Sequence, residues 1–354
     1  MKKESQETED MLSYQSKIGT IVNVLRTITN SDVLLLCHKN ADPDTIGSAF
    51  ALAQFLQEYT STTCKILTES LNKPAEKLVS RLQIEIGKGI DPDARKFIML
   101  DANNLEQLGT IATASLQKLL VENPPIIIDH HAPHAAGFEL TSNYFVLDDV
   151  SSTCEIIYQV FKYSETEILP NVAFALLSGI IYDTKHLILA SKSTFKAVVD
   201  LLDQGIEYQE ILATLNVPSS FSERVARVKC AQRMEIERIN DYLLITSYIS
   251  AYEAAAARTL VYLGADVAIV WAAKKDELRL SARCSSNFHT KTGIHLGKLF
   301  EKAAGMIDGM GGGHRTAAGL NANAQTDPKP IIDFIRGTLR KSSQKDRLKH
   351  TNEL

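Results

Sequence analysis

Four short groups of aspartate and histidine carry the chemistry of this chain. The first is His38-Lys-Asn-Ala-Asp42-Pro43-Asp44, with Gly47-Ser48 close behind. The second is Asp101, the third Asp129-His130-His131, and the fourth Asp183 within Tyr182-Asp183-Thr184. Carboxylate and imidazole donors without thiolates favour Mn²⁺, with Mg²⁺, Co²⁺ or Fe²⁺ as alternatives. Four carboxylates crowded into an apolar crevice would resist ionisation. Two divalent ions would balance their charge. Ions about 3.5–4 Å apart can share a hydroxide, lower its pKa and stabilise a leaving oxygen, which suits attack on phosphorus.

Single residues of these types are usually structural. A lone Asp after a strand is most often a cap or turn residue, and His134 and His186 are read as structural. The grouped residues differ. HxxxDxD and DHH would each occur by chance in about 1–3% of chains this long, and together in well under about 0.1%.

The elements that must position these groups are short apolar strands alternating with helices. Asp32–Cys37, Lys65–Thr68, Lys96–Leu100 and Pro125–Ile128 read as strands, with a helix over 46–58 after the first. Continuous apolar strands separated by helices predict an α/β domain with a parallel sheet covered on both faces. His38, Asp101 and Asp129 then each follow a strand, and open α/β sheets bind ligands beyond the carboxyl ends of their strands. Ser152 with Glu155 reads as a capping box. Residues 171–182 read as a buried apolar helix ending at Asp183.

The pattern breaks over 205–222, where the first domain should end. A charged helix over 223–238 would connect to a smaller α/β domain: a strand over 242–247, a helix over 251–263, strands over 267–273 and 277–284, and a helix over 295–304. The expected organisation is a tail over 1–12, a catalytic domain over 13–205, a linker with its helix over 206–238, a substrate-binding domain over 239–342 and a basic tail over 343–354. The active site is expected in the cleft between the domains. Asp308-Gly-Met-Gly311-Gly312-Gly313-His314-Arg315 reads as a glycine-rich loop that lets backbone amides approach phosphate, with the dipole of a following helix to help. It does not fit a nucleoside-triphosphate P-loop.

Composition excludes several classes. Of 354 residues, 45% are hydrophobic and 23% charged, so two domains can bury real cores. The net charge of −4 lacks the basic surplus of a protein that grips long duplex DNA. No apolar run is long enough for a spanning helix. The polar start MKKESQETED is not expected to be a signal peptide. Five scattered cysteines without a CxxC pair suggest reduced thiols in the cytoplasm.

These motifs resemble the DHH phosphoesterases, the superfamily of RecJ nucleases, NrnA-type oligoribonucleases, cyclic-dinucleotide phosphodiesterases and family II pyrophosphatases. The resemblance covers nearly the whole chain, with the motifs in the expected order. It implies one metal on His38, Asp42 and Asp101 and another on Asp44, Asp101, His130 and Asp183, with Asp101 bridging. His131 would face the substrate phosphate and Asp129 would orient its neighbours. The glycine stretch resembles the GGGH motif of the DHH-associated C-terminal domain, and Ser281-Ala-Arg283-Cys-Ser285 resembles a strand motif of that domain. By the same resemblance Arg283, Ser285, Gly311, Gly312, Gly313 and His314 would bind the substrate, joined by Arg315 unless it is a solvated surface residue. Two departures stand out. The first motif reads NADPD where NPDGD is common, and Gln107 stands where members often carry Arg.

The resemblance implies an Mn-dependent hydrolase acting on short single-stranded RNA or DNA or on small nucleotides. Oligoribonuclease, 3′-phosphoadenosine 5′-phosphate (pAp) phosphatase, RecJ-like exonuclease and dinucleotide phosphodiesterase remain open among themselves. A pyrophosphatase fits less well, because that branch has a C-terminal domain without GGGH. A non-catalytic replication scaffold would show gaps in the ligand set, and none is present. A homodimer and a repair or replication partner are compatible with this reading, and a membrane is not.

Overall fold

The computed structural model describes residues 2–29, 31–91, 93–274 and 276–351, with no account of the side chains of 2–13 and 342–351. Its backbone divides into two units at Val217/Pro218.

The first unit contains helices α1 (Lys2–Arg26), α2 (Pro43–Thr60), α3 (Lys73–Leu82), α4 (Ala114–Glu122), α5 (Ala135–Leu140), α6 (Thr153–Tyr163), α7 (Pro170–Asp183), α8 (Lys192–Leu202) and α9 (Tyr208–Leu215). Its strands are β1 (Asp32–Cys37), β2 (Thr63–Leu67), β3 (Lys96–Leu100), β4 (Ile126–Asp129) and β5 (Tyr144–Val146). They form one sheet in the order β2-β1-β3-β4-β5, every neighbouring pair parallel. The unbroken apolar runs are explained by burial on both faces. Val33, Leu35 and Cys37 of β1 join one core with Ile98, Leu100 and Ile128. Leu34 and Leu36 point the other way, with Phe97, Met99 and Ile127, onto Leu116 and Leu120 of α4. Successive side chains alternate between faces, so an apolar strand feeds two cores at once.

Helix α7 is the centre of the larger core and buries every residue from Val172 to Ile181. It crosses α2 closely. A Cβ on Gly47 would lie 2.4 Å from the Ala175 carbonyl oxygen, and one on Gly179 would lie 2.8 Å from Asp44 Cα. Small residues therefore set the depth at which α7 meets the first motif.

The second unit contains α10 (Phe221–Gln232), α11 (Glu253–Tyr262), α12 (Ser286–Thr292), α13 (Leu296–Ala304) and α14 (Lys329–Thr351). Its strands β6 (Glu235–Ile239), β7 (Tyr242–Tyr248), β8 (Val267–Lys274), β9 (Glu277–Cys284), β10 (Met310–Gly313) and β11 (Ala317–Asn323) form a mixed sheet ordered β10-β11-β9-β8-β7-β6. Only β7 and β8 pair in parallel. This sheet too is covered on both faces. Val267 and Ile269 of β8 pack with α12, α13 and α14, while Ala268 and Val270 pack with α10 and α11.

Several expectations need correction. The stretch expected as a linker over 206–238 is divided between the units: α9 packs on α3 and α7, and α10 packs on α11. The helix expected to run to residue 238 stops at Gln232. Glu235-Ile-Glu-Arg-Ile239 is instead an edge strand whose Ile236 is exposed and Ile239 buried, an alternation masked by the charged run before it. The N-terminal segment expected as a tail begins α1, and α14 continues to Thr351. The glycine-rich stretch is the edge strand β10, and strand β11, not a helix, follows it. Sparse side chains hid that strand, because glycine carries no β pattern.

Replacing Gly47 by Ala should destabilise the protein by roughly 1–3 kcal/mol through overpacking at the α2/α7 crossing. A urea unfolding midpoint equal to that of the wild type would show that this crossing is not tight.

Candidate metal centre

The sheet order 2-1-3-4-5 reverses direction between β1 and β3, the topological switch point where ligands collect in open α/β sheets. His38 follows β1, Asp101 follows β3, and Asp129 ends β4, so three adjacent strands deliver their polar residues to one edge. Asp183 arrives as the last residue of α7.

Asp101 is the hub. It is buried and lies in the left-handed region at φ +55°, which turns the chain sharply out of β3. Asp tolerates this region better than most residues. One of its oxygens lies 3.5 Å from His38 Nε2, and the other 3.6 Å from His130 Nε2 and 3.4 Å from His131 Nδ1. Two hydroxyls fix its plane: Thr45 Oγ1 is 2.5 Å from Oδ2, and Thr153 Oγ1 donates to Oδ1 at 3.2 Å.

The two acids of the first motif are held by helix N-termini. Asp42 caps α2, its Oδ1 accepting from the amides of Asp44 and Thr45. Asp44 is fully buried, and its two oxygens accept from the amides of Thr153 and Cys154 at 2.7 and 2.8 Å. Those amides open α6 and have no partner within their own helix, and they carry the positive end of its dipole. Pro43, the departure in the first motif, fits the start of α2, where its missing N–H costs nothing.

His130 closes the group. Its Nε2 lies 3.1 Å from Asp183 and 3.8 Å from Asp44, yet it is buried without a hydrogen-bond partner. Among the described residues, three sets bring their donor atoms within 4.8 Å of one another: His38/Asp42/Asp101, Asp44/His130/Asp183 and Asp101/His130/His131. A buried imidazole nitrogen that faces three carboxylates at 3.1, 3.6 and 3.8 Å, with no hydrogen bond directed to any, fits a cation better than a proton network. Asp129 stands behind these residues. Fully buried, its Oδ1 accepts from the amides of His130 and His131 and lies 2.9 Å from His131 Nδ1. The His131 side chain is 50% exposed, so its ring is anchored on one edge and open on the other.

The electrostatics report the same crowding. Burial, followed by the charges of Asp101 and Asp183, pushes the Asp42 carboxyl up to about 6. Asp44 is raised by burial and then by Asp183 and Asp101. Burial opposes ionisation of Asp101 as well, but hydrogen bonds from His131 and His38 hold its carboxyl well below the usual range. His131 is raised to about 11 by its bonds to Asp101 and Asp129. His130 is raised to about 9, because the pull of Asp183 and its neighbours exceeds the cost of burial.

Sequence reading missed Thr45 and Thr153, the hydroxyls that orient Asp101. Both are small polar residues at helix starts, where capping is the ordinary reading. Glu155 does not reach back to the Ser152 amide as a capping box would. Its carboxylate is buried and accepts from Ser151, Ser193 and Thr194, so only the Ser152 half of the box forms. Gln107 turns its side chain onto the amides of Asn103 and Asn104, ordering the loop after Asp101. His134 caps α5, and His186 sits in a left-handed turn after Asp183.

Within the second unit, Gly311 and Gly313 are required by packing. A Cβ on Gly311 would lie 2.5 Å from the Phe300 carbonyl oxygen, and one on Gly313, at φ +141°, 2.4 Å from that of Ala317. Gly312 faces open space. His314 and Arg315 are exposed, and their carbonyls accept from the first amides of α13. The Ser285 hydroxyl caps α12. Arg283 is half-buried beside Arg258, and burial followed by that like charge lowers its pKa.

Comparison with known proteins agrees with this architecture. The family model described as the DHH family, N-terminal domain, matches residues 32–180, and that of the DHHA1 domain matches 248–341. The uncharacterized protein MJ0988 of Methanocaldococcus jannaschii is 38% identical over 312 residues, covering 85% of this chain and 90% of that protein. A probable manganese-dependent inorganic pyrophosphatase of Streptococcus mutans is 28% identical over 58% of this chain and 66% of its own length. The crystal structure of an exopolyphosphatase-related protein from Bacteroides fragilis superposes with a TM-score of 0.65 at 17% identity, covering 94% of this chain and 98% of that one.

The raised groups set a pH dependence. The folded chain keeps Asp42 protonated up to about pH 6, whereas the unfolded chain ionises it above about 4. The folded state therefore binds more protons in that window and loses stability as pH rises. Stability from His130 is full below about 6.5 and lost through about 9. Bound divalent ions would reverse both trends, since they displace protons. The difference in melting temperature between metal-loaded and metal-free protein should widen as pH rises from about 5 to 8. A constant difference would show that the metals do not compete with protons at these groups.

Proposed function

The chain belongs to the DHH phosphoesterase superfamily, and from that premise we propose that it hydrolyses phosphodiester or phosphomonoester bonds of short single-stranded oligonucleotides or small nucleotides. One observation carries the reading: His38, Asp42, Asp44, Asp101, His130 and Asp183 are all present and gathered in overlapping sets, with His130 Nε2 buried among carboxylates and without a hydrogen-bond partner. A scaffold that had lost catalysis would not need to keep so costly a cluster. The DHHA1 match beside the DHH match supports a nucleotide substrate over simple pyrophosphate.

His38, Asp42 and Asp101 would hold one divalent ion, and Asp44, Asp101, His130 and Asp183 a second. Mn²⁺ suits the donor set and is the metal named for the Streptococcus mutans relative. When bound, such ions supply Lewis acidity toward a phosphoryl oxygen and make water acidic enough to attack at neutral pH. The remaining work falls to the chain. Thr45 and Thr153 keep Asp101 facing both ligand sets. Asp129 holds His131 by its Nδ1 edge, and its charge favours the protonated imidazole. The open edge of that ring would donate to a phosphoryl oxygen or to the departing oxygen. Arg283, Gly312, His314 and Arg315 would contact the nucleotide phosphates, Arg283 by charge-assisted bonds. Gly311 and Gly313 would shape that strand, and Ser285 would fix the start of α12. The five free cysteines support a cytoplasmic setting.

The test is Mn²⁺-dependent turnover of 5′-labelled RNA and DNA from two to about 30 nucleotides, with pAp, cyclic dinucleotides and pyrophosphate in parallel. The expected result is fastest loss of the shortest oligonucleotides, abolished by chelator and restored by Mn²⁺. Activity that survives complete metal removal, or hydrolysis of pyrophosphate alone, would refute the proposal.

A further inference from the structure

A groove of about 320 Å³ opens on the second unit between α10 and the turn from β7 into α11. Its size is that of a small-ligand site. Phe221, Val225, Lys229, Arg233, Ile249 and Tyr252 form its walls, and no carboxylate is among its lining residues. The two charged residues of that lining, Lys229 and Arg233, are both cations.

Its aromatic residues are turned outward. Phe221 is 74% exposed and Tyr252 41%, and exposed Tyr248 of β7 lies under the lining residue Arg233. Arginines already lie over two of these rings: Arg224 is 5.7 Å from the Phe221 centroid and Arg233 5.0 Å from that of Tyr248. Tyr252 is held at φ +69°, in the left-handed region. An aromatic residue there costs backbone energy and makes no side-chain cap for α11. The floor is firm, since the Ser247 hydroxyl bonds the Cys230 carbonyl at 2.7 Å and ties β7 to α10.

Flat exposed rings interleaved with cations, here Lys229 and Arg233 with no ion pair among the described residues, are what binds unpaired bases and their phosphates without reading sequence. An apolar helix from a partner would call instead for aliphatic walls and few charges. We propose that this groove holds a segment of single-stranded nucleic acid, with bases stacked on Phe221 and Tyr252 and phosphates paired with Lys229 and Arg233. The ligand class rests on the nucleic-acid reading above; the groove belongs to the second unit, whereas the residues proposed as metal ligands belong to the first.

The experiment is fluorescence anisotropy of the full chain with 5′-labelled oligouridylate of about 12 nucleotides, in EDTA so that nothing is hydrolysed. The double variant F221A/K229A alters two exposed side chains, and R233Q serves as an independent second variant; circular dichroism and the unfolding midpoint check that each folds. The double variant should bind at least about tenfold more weakly, and the dependence of log affinity on log salt should flatten by about 0.7 for the one cation removed. Affinity and salt slope equal to those of the wild type in both variants would overturn the proposal. So would a wild type that sediments as a dimer and variants that sediment as monomers with unaltered oligouridylate affinity, which would assign the face to a second copy of the chain. Because binding is read without turnover, a chain that cleaves no nucleic acid can still pass this test, and a hydrolytic chain can still fail it.

Discussion

Buried negative charge is the constraint on which the first unit is built. Asp44, Asp101 and Asp129 are all buried, and the fold gathers Asp44 and Asp101 with the half-buried Asp42 and Asp183 in overlapping donor sets. Isolated carboxylates in such a place would take up protons. The chain answers with oriented donors. The N-terminus of α6 holds Asp44, the N-terminus of α2 is capped by Asp42, and two threonine hydroxyls hold Asp101. Three histidines supply positive charge only in so far as they are protonated. The Nε2 of His130, buried without a hydrogen-bond partner, marks where this internal compensation ends.

Precision in such a cluster comes from what lies beneath it. Parallel strands with apolar residues on both faces are clamped between two cores, so the residues leaving their carboxyl ends have little freedom. Gly47 and Gly179 bring α7 against α2 at the first motif, which places Asp183 on the same side as Asp44. The left-handed conformation of Asp101 is a modest local cost held by this rigid surround.

Much of this was legible in the sequence. The strands before His38, Asp101 and Asp129 are unbroken apolar runs, and the histidine and aspartate spacings are rare. The orienting hydroxyls were not legible, because Thr45 and Thr153 look like ordinary helix-start residues until the fold brings them to Asp101 from opposite sides. Three glycines in a row suggested a loop because strand patterns are written in side chains. Only the neighbours of Gly311 and Gly313 reveal an edge strand packed too closely for a Cβ. The boundary between the units was blurred for a related reason: α9 and α10 are both short and amphipathic, and only packing assigns each to its side of Val217.

The proposed sharing of Asp101 by two divalent ions is what the rest of the site reading depends on. Its most direct test is the number of Mn²⁺ ions retained per chain after equilibrium dialysis, for the wild type and for Asp101→Ala, with the unfolding midpoint of each as a check on folding. Two ions per wild-type chain are expected, with weakened retention of both in the variant. A folded variant that still holds two ions, or a wild type saturated by one, would contradict that sharing.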